Sequence, residues 1–443
     1  MTDKDARRPQ VVIVGAGFGG LSAARALCGK GADVTIVDKQ NHHLFQPLLY
    51  QVATAGLSPA DIAAPIRSIV RKHKATRVLL DEVIGVDPHR REVVLADGPP
   101  LSYDQLILAT GARHSYFGRD EWAEFAPGLK TIDDATRLRR NILFALEHAE
   151  ALPPGPARDR QLTFVLVGGG PTGVEMAGAI AELCRHSVSA DFRRIMTDQA
   201  RVILVQGAPR LLPAFPEDLS GCAKRALERL GVEVLLDARV TDIDADGVTL
   251  GKVRIEAGTI VWAAGVAASP VATWLGIPGD AAGRVTVGPD LCLAAYPEIF
   301  VIGDAASAMR ADATPVPGLA PAAKQMGDYV GRVIARRLAG QPAPARFRYK
   351  DWGNLATIGR KRAVADFGWT QMRGALAWLF WCVAHVFFLV GYRNRLIVGA
   401  NWLWQYVTFG RGARLITGLD HKHAAATPTV VPQDYTRHRA RRA

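Results

Sequence analysis

Cysteine is scarce in this chain of 443 residues and never closely spaced. Cys28, Cys184, Cys222, Cys292 and Cys382 form no C-x-x-C pair and no zinc-type spacing. No metal site is therefore expected, and the five thiols read as small buried apolar residues of a reducing compartment. Acidic charge is in deficit: 54 Lys and Arg against 42 Asp and Glu give a formal net charge of +12. With a pI near 9.7, the chain favours anionic partners. Aromatics make up 7% of the sequence and are not interleaved with the basic residues, which argues against nucleic acid and leaves nucleotides and an anionic membrane surface. Long apolar runs are few. A mean hydropathy of +0.07 is too low for a polytopic membrane protein, though high for a freely soluble enzyme. No secretory signal is expected in the short, charged stretch Met1 to Gln10, and Arg7-Arg8 reads as solvated surface.

Glycine, by contrast, is concentrated in two places. Gly15-Ala16-Gly17-Phe18-Gly19-Gly20 follows the apolar run Val11 to Val14, and Gly168-Gly169-Gly170-Pro171-Thr172-Gly173 follows Phe164 to Val167. Each sits between a strand and a helix, the context that gives a dinucleotide fingerprint its meaning. Gly15 and Gly168 allow the turn, Gly17 and Gly170 admit a pyrophosphate to the backbone, and Gly20 and Gly173 let helix and strand pack closely. Free N–H groups at each helix start then favour phosphate. Two such sites imply a flavin and a nicotinamide held face to face.

The residues beyond each turn separate the two sites. Asp33 to Asp38 reads as a strand ending in a carboxylate, where a ribose hydroxyl is gripped, with Lys39 beside it. The matching second strand, Arg201 to Val205, ends in neutral Gln206 with Arg210 close behind, which leaves NADPH open beside NADH. Two further apolar runs end in small residues, at Ala109-Thr110-Gly111 and Ala264-Gly265, as if one nucleotide-binding plan were used twice. Ile299 to Val301 leads into Gly303-Asp304, and Asp304 there suits either the ribityl hydroxyls of a flavin or the cap of a following helix. The predicted fold class is α/β, with two Rossmann-like dinucleotide-binding domains and a C-terminal membrane-attachment region. The expected boundaries are 8–118 and 271–345 for the two parts of an FAD-binding domain, 119–160 for a connecting segment and 161–270 for an NAD(P)H-binding domain. Residues 346–420 form the membrane-associated region, and 421–443 a basic, disordered tail whose cluster Arg437 to Arg442 attracts anionic lipid or serves solubility.

That C-terminal region carries the one long apolar run. Gly374 to Gly391 has a single polar side chain, His385; as one helix it would measure about 27 Å, near the lower limit for a bilayer core. A charged break at Tyr392 to Arg395 precedes Leu396 to Phe409, rich in Trp and Tyr. Aromatics at that density suit a membrane–water interface. Monotopic attachment at the cytoplasmic face is the leading expectation, ahead of a spanning helix and a buried core helix.

These features resemble the type II NADH:quinone oxidoreductases, single-subunit flavoproteins with two dinucleotide-binding domains. The resemblance runs from Val11 to about Leu419 and is most specific at Asn41 to Ala53, Gly168 to Glu175, Val301 to Asp304 and Leu319 to Gln325. It implies FAD in the first domain, NADH or NADPH in the second, and hydride passing to the flavin and on to a quinone, ubiquinone or menaquinone, without ion pumping. Membrane docking through C-terminal helices and a homodimer are compatible with it. By the same resemblance Glu175 lies near the flavin–nicotinamide contact, unless it merely stabilises a helix dipole. Gln46 and Gln325 neighbour flavin or quinone, Lys324 stabilises charge at the flavin pyrimidine end, and His43 contacts ribose or packs the loop. Two residues depart from the family pattern: Gln206 stands where Glu is usual, and Pro321 where Gln is common. Disulfide reductases of this fold need a cysteine pair within residues 39–56, which has none. A sulfide:quinone oxidoreductase, or a slow membrane-attached redox sensor binding the same cofactors, remains as an alternative.

Overall fold

The computed structural model describes residues 7–189, 191–342, 344–408 and 410–417. The basic tail expected over 421–443 lies outside the described residues, as do residues 418–420.

The strands used below are, in chain order, β1 (Gln10–Val14), β2 (Asp33–Asp38), β3 (Thr76–Leu80), β4 (Gln105–Leu108), β5 (Thr163–Val167), β6 (Arg201–Val205), β7 (Val232–Leu235), β8 (Thr259–Trp262), β9 (Ile299–Val301), β10 (Asn354–Gly359), β11 (Arg362–Asp366) and β12 (Gln371–Gly374). The helices are α1 (Phe18–Leu27), α2 (Leu49–Ala53), α3 (Ile132–Ala151), α4 (Pro171–Glu182), α5 (Ala320–Leu338), α6 (Ala375–Phe388) and α7 (Tyr392–Thr408).

Two parallel sheets dominate. The first runs β9-β4-β1-β2-β3 and the second β7-β6-β5-β8. Val11 to Val14 and Thr163 to Val167 are buried throughout, as expected for parallel strands covered on both faces. The apolar runs read from the sequence are therefore the two central strands, and the chain is a doubly wound α/β protein built twice. α5 returns the chain to the first sheet and lies against α1. A Cβ on Gly327 would stand 2.0 Å from the Gly19 carbonyl oxygen, and one on Gly331 would stand 2.5 Å from Ala26 Cβ. Glycines four residues apart thus set how closely these helices approach.

The antiparallel sheet β10-β11-β12 packs on α4, where a Cβ on Gly178 would meet the Ile358 carbonyl oxygen at 1.7 Å. This contact carries the C-terminal region onto the second dinucleotide sheet. The apolar run expected over 374–391 is shorter as a helix. Gly374 enters it at φ +76°, Leu389 leaves it extended, and α6 spans 14 residues, about 21 Å. Among the described residues no helix is long and apolar enough to cross a membrane. α6 and α7 are apolar on two faces. Ala377 and Trp381 are buried beneath, whereas Leu376, Leu379, Val383 and Phe387 on α6 and Leu396, Leu403, Trp404 and Val407 on α7 are exposed.

All five cysteines are free. Cys184 and Cys292 are buried, Cys222 and Cys382 half-buried, and Cys28 is exposed. The expectation of five buried thiols holds fully only at Cys184 and Cys292; Cys28 departs furthest because it ends α1 instead of lying on its packed face.

Candidate active site

The first turn is held by backbone contacts that glycine alone permits. Gly15 has φ +98°, and a Cβ there would stand 2.5 Å from the Ala109 carbonyl oxygen; a Cβ on Gly20 would stand 1.9 Å from that of Gly15. Gly19 is wedged against Ile302 and Ala323. Gly17 differs, with nothing within 4 Å of its Cβ position. α1 starts there with no side-chain cap and no acidic residue in its first turn. The second turn repeats this. Gly168 has φ +112°, Gly173 would clash with the Gly168 carbonyl oxygen at 1.8 Å, and Gly170 has open space before the uncapped α4. Each turn therefore presents free helix N–H groups beside a gap shaped for an anionic group, so the residues present fit a dinucleotide pyrophosphate at both places.

The first turn, through Gly17 and Gly19, and the start of α4, through Pro171 and Thr172, open onto one cavity of about 750 Å³, whereas Gly168 to Gly170 are not in its lining. Gly17, Gly19, His43, Gln46, Ala109, Gly111, Glu175, Gly265, Gly303, Asp304 and Lys324 line it. The volume is at the upper end for a ligand site, and no cysteine is among its lining residues. Its wall on the C-terminal side comes from Trp352, Phe380, His385 and Phe388.

Several expected residues are engaged elsewhere. Asp38 accepts from Ala16 N at 2.6 Å and Gln40 N at 2.8 Å, so its carboxylate ties the first turn and is absent from the cavity wall. Burial raises its pKa, partly offset by those two N–H donors. Lys39 pairs with Glu82 at 3.5 Å on the surface. Thr110 bonds Ser269, and Ala264 packs with the apolar cluster around Trp262; neither lines the cavity. Gln325 is also turned away. Its amide donates to the Lys350 carbonyl and accepts from Lys350 N, both at 2.9 Å, which satisfies it on backbone. Pro321, four residues earlier, does line the cavity.

The charges that remain are distinctive. His43 lies against the Ala16 carbonyl at 2.9 Å through Nδ1, and burial pushes its pKa down to about 4, so it is a neutral donor fixing the turn. Lys324 places its ammonium 5.3 Å from the Phe388 ring centroid at the cavity edge. Gln46 donates to the Lys130 carbonyl at 3.2 Å. Lys130, which sequence reasoning missed, lines the cavity half-buried; burial lowers its pKa and the Asp304 carboxylate opposes that shift. The signal for it was present in Thr131-x-x-Asp134, a capping box that starts α3 and leaves Lys130 just outside the helix.

Among the described residues no ion pair reaches Glu175. It lies past the first turn of α4, so a dipole role does not describe it. Burial pushes its pKa up to about 8, opposed by one long contact from Thr357 N at 3.4 Å. What surface it exposes faces this cavity and a smaller one behind it. At neutral pH it is a carboxylic acid able to donate a proton. Gln206 accepts from Gly169 N at 2.8 Å, holding the second turn as Asp38 holds the first. Arg210 donates to the carbonyls of Phe215 at 3.2 Å and Pro213 at 2.9 Å.

The sequence matches the pyridine nucleotide-disulphide oxidoreductase family over residues 9–327 and the NDH2 C-terminal domain over residues 352–412. It is 46% identical over 426 residues to the type II NADH:quinone oxidoreductase NdhA of Mycobacterium tuberculosis, covering 93% of this chain and 90% of that one. It is 44% identical over 430 residues to Ndh of the same organism, covering 94% and 92%. The fold is similar to a solved structure of NDH2 from Plasmodium falciparum in complex with NADH, with TM-score 0.83, 22% identity, and coverage of 93% of this chain and 100% of that one.

Proposed function

This chain belongs to the type II NADH:quinone oxidoreductases, and on that footing we propose which of its residues carry the reaction and where it works. It is a flavoenzyme that takes two electrons from NADH and gives them to a quinone. FAD, when bound, supplies the two-electron chemistry between the two substrates. The first turn, at Gly17, holds the FAD pyrophosphate and the second, at Gly170, that of NADH. Asp304 accepts from ribityl hydroxyls, with Lys130 beside it as the balancing cation. His43 stays neutral and stiffens the first turn. Glu175 holds a proton at the edge of the cavity and donates it on the quinone side. Lys324, Pro321, His385 and Phe388 form the wall against which the quinone head lies. The observation that carries this reading is that the first turn, the start of α4 at Pro171 and Thr172, and the half-buried acid Glu175 share one cavity. The test is spectroscopic: NADH bleaches the yellow flavin band, and a short-chain quinone restores it. Bleaching without recovery leaves only a nucleotide-binding sensor.

NADH is proposed as the preferred donor. Arg210, which follows Gln206 most closely, has its guanidinium bound to two carbonyls instead of held open for a 2′-phosphate. A charge-assisted bond of this kind contributes about 1.5–3 kcal/mol. The expected kcat/KM for NADPH is therefore roughly 10–100-fold below that for NADH, and equal values would overturn the argument.

The exposed apolar stripe on α6 and α7 is proposed to rest on an anionic bilayer at its NADH-containing, cytoplasmic side. Leu376 and Val407 are each 70% exposed, and residues 376, 379, 383 and 387 recur at helical spacing along one face. The net charge of +12 complements anionic lipid. Inserting a leucine contributes about 1.5–3 kcal/mol. Leu379→Glu with Leu403→Glu is expected to weaken sedimentation with anionic vesicles at least about tenfold while leaving NADH bleaching intact. Unchanged sedimentation of the double variant counts against the stripe.

A further inference from the structure

Three cations line the large cavity, Arg25, Lys130 and Lys324, against two acids, Asp304 and Glu175. Glu175 is uncharged at neutral pH, so three positive charges face one carboxylate. Arg25 and Lys324 are exposed, where water and salt screen them. Lys130 is half-buried. Its backbone is engaged at both ends: the N–H donates to Asp134 at 2.9 Å, and the carbonyl accepts from Gln46 at 3.2 Å. The capping box of Thr131 and Asp134 fixes the start of α3 directly after it. The side chain therefore leaves a rigid base. Among the described residues no hydrogen bond or ion pair reaches its ammonium. Asp304, just past β9, attracts Lys130 without pairing with it. An ammonium drawn out of water normally takes a carboxylate partner, because an isolated charge there is costly. Here the pair is held open, with the cavity between its members.

Such a charge acts on whatever fills the cavity, since the dielectric there is low once a ligand displaces water. Reduction changes the charge of that ligand. In FAD + NADH → FADH⁻ + NAD⁺ the C4–H bond of the nicotinamide breaks and an N5–H bond forms on the flavin. Both electrons travel with the hydrogen, and the flavin gains one negative charge. We propose that Lys130 sets the flavin potential of this enzyme: its ammonium offsets the charge that the hydride brings, so the chain binds reduced flavin more tightly than oxidised flavin. The inference rests on the placement of FAD at the first turn. Only a difference in affinity between the two redox states can shift the potential. Lys130 supplies one because its charge is fixed while that of the flavin changes. Asp304 acts in the opposite sense, so without Lys130 a carboxylate alone faces the reduced ring. The exposed Arg25 and Lys324 contribute less, and their share is lost in salt.

The test is a potential, read by equilibrating the FAD-loaded protein with a redox dye in the absence of NADH and quinone. Lys130→Met and Lys130→Gln remove the charge; Lys130→Arg keeps it. The two neutral variants are expected to lose about 10–100-fold of the preference for reduced over oxidised flavin. For a two-electron couple that is a potential lower by about 30–60 mV. Lys130→Arg should restore the wild-type value. In 1 M salt the shift should persist, whereas any shift in Arg25→Met should vanish, because only the exposed cation is fully screened. Melting of the apoproteins separates this role from a structural one. The ammonium has no protein partner to leave behind, so Lys130→Met should melt no earlier than wild type. A loaded neutral variant with the wild-type potential overturns the inference and leaves the placement of FAD intact. Loss of flavin from both neutral variants also overturns it, since Lys130 would then hold the oxidised cofactor equally well. A wild-type chain that takes up no flavin removes the placement itself.

Discussion

Gly17→Ala is expected to fold like the wild-type apoprotein and to purify colourless. Its backbone at φ −70°, ψ −164° suits any L-residue, and no atom lies within 4 Å of the new Cβ. The methyl group fills only the gap into which a pyrophosphate fits, so affinity for FAD should fall by about 100-fold or more while the melting temperature of the apoprotein stays within about a degree. Gly20→Ala should behave differently. Its Cβ stands 1.9 Å from a backbone oxygen that cannot swing aside, so the strand-helix unit itself is strained. Overpacking of this kind costs about 1–3 kcal/mol, and both flavin and stability are lost. The second turn gives the complementary pair. Gly170→Ala has open space and should leave a yellow protein that NADH no longer bleaches at ordinary concentrations, whereas Gly173→Ala, 1.8 Å from the Gly168 carbonyl oxygen, should melt early. Flavin absorbance, NADH titration and thermal melts on the four variants separate glycines that leave room for a ligand from glycines that leave room for the chain. A Gly17→Ala protein that retains full flavin would show that no phosphate approaches that backbone.

The features legible in the sequence are those fixed by local rules. Two apolar runs ending in glycine-rich turns give two parallel sheets, and the charged break at Tyr392 separates α6 from α7. What the sequence hides depends on partners far along the chain. Asp38 looks like a free ribose ligand until Ala16, 22 residues earlier, is seen to take one of its oxygens. Gln325 looks like a quinone contact until the backbone of Lys350 claims both ends of its amide. Glu175 is singled out by resemblance alone, and its raised pKa is hidden because a contact that encloses it comes from β10, with Thr357 lying 182 positions on. Arg411 reaches Thr54 across 357 residues, and nothing near it in the sequence marks it as buried. Periodicity identifies which face of an element is apolar. It does not say which distant backbone will satisfy a polar side chain.

The second large effect is a stability that falls as pH rises, with a matching change in activity, both traced to Glu175. Its pKa is about 8 in the folded chain against 4.5 for a free glutamate, and burial is the first cause. The folded state therefore binds a proton that the unfolded state has lost over the whole window between these values. Stability contributed by this group is intact below pH 4.5 and declines as pH rises toward 8, by about 1.4 kcal/mol per pH unit at most. Water in the adjoining cavities lessens that slope. Glu175→Gln keeps the shape and cannot ionise, so its melting temperature should draw progressively above that of wild type between pH 5 and pH 8 and run parallel to it beyond. The same substitution removes a proton donor, a loss that typically slows a reaction by about 10²–10⁴-fold. Quinone reduction should therefore fall by about 100-fold at pH 7 while bleaching by NADH continues, since hydride transfer needs no proton from the protein. A variant that gains stability with pH and loses quinone reduction ties both effects to one carboxyl. If the two melting curves stay parallel from pH 5 to 9, Glu175 is ionised in the folded protein and cannot be the donor.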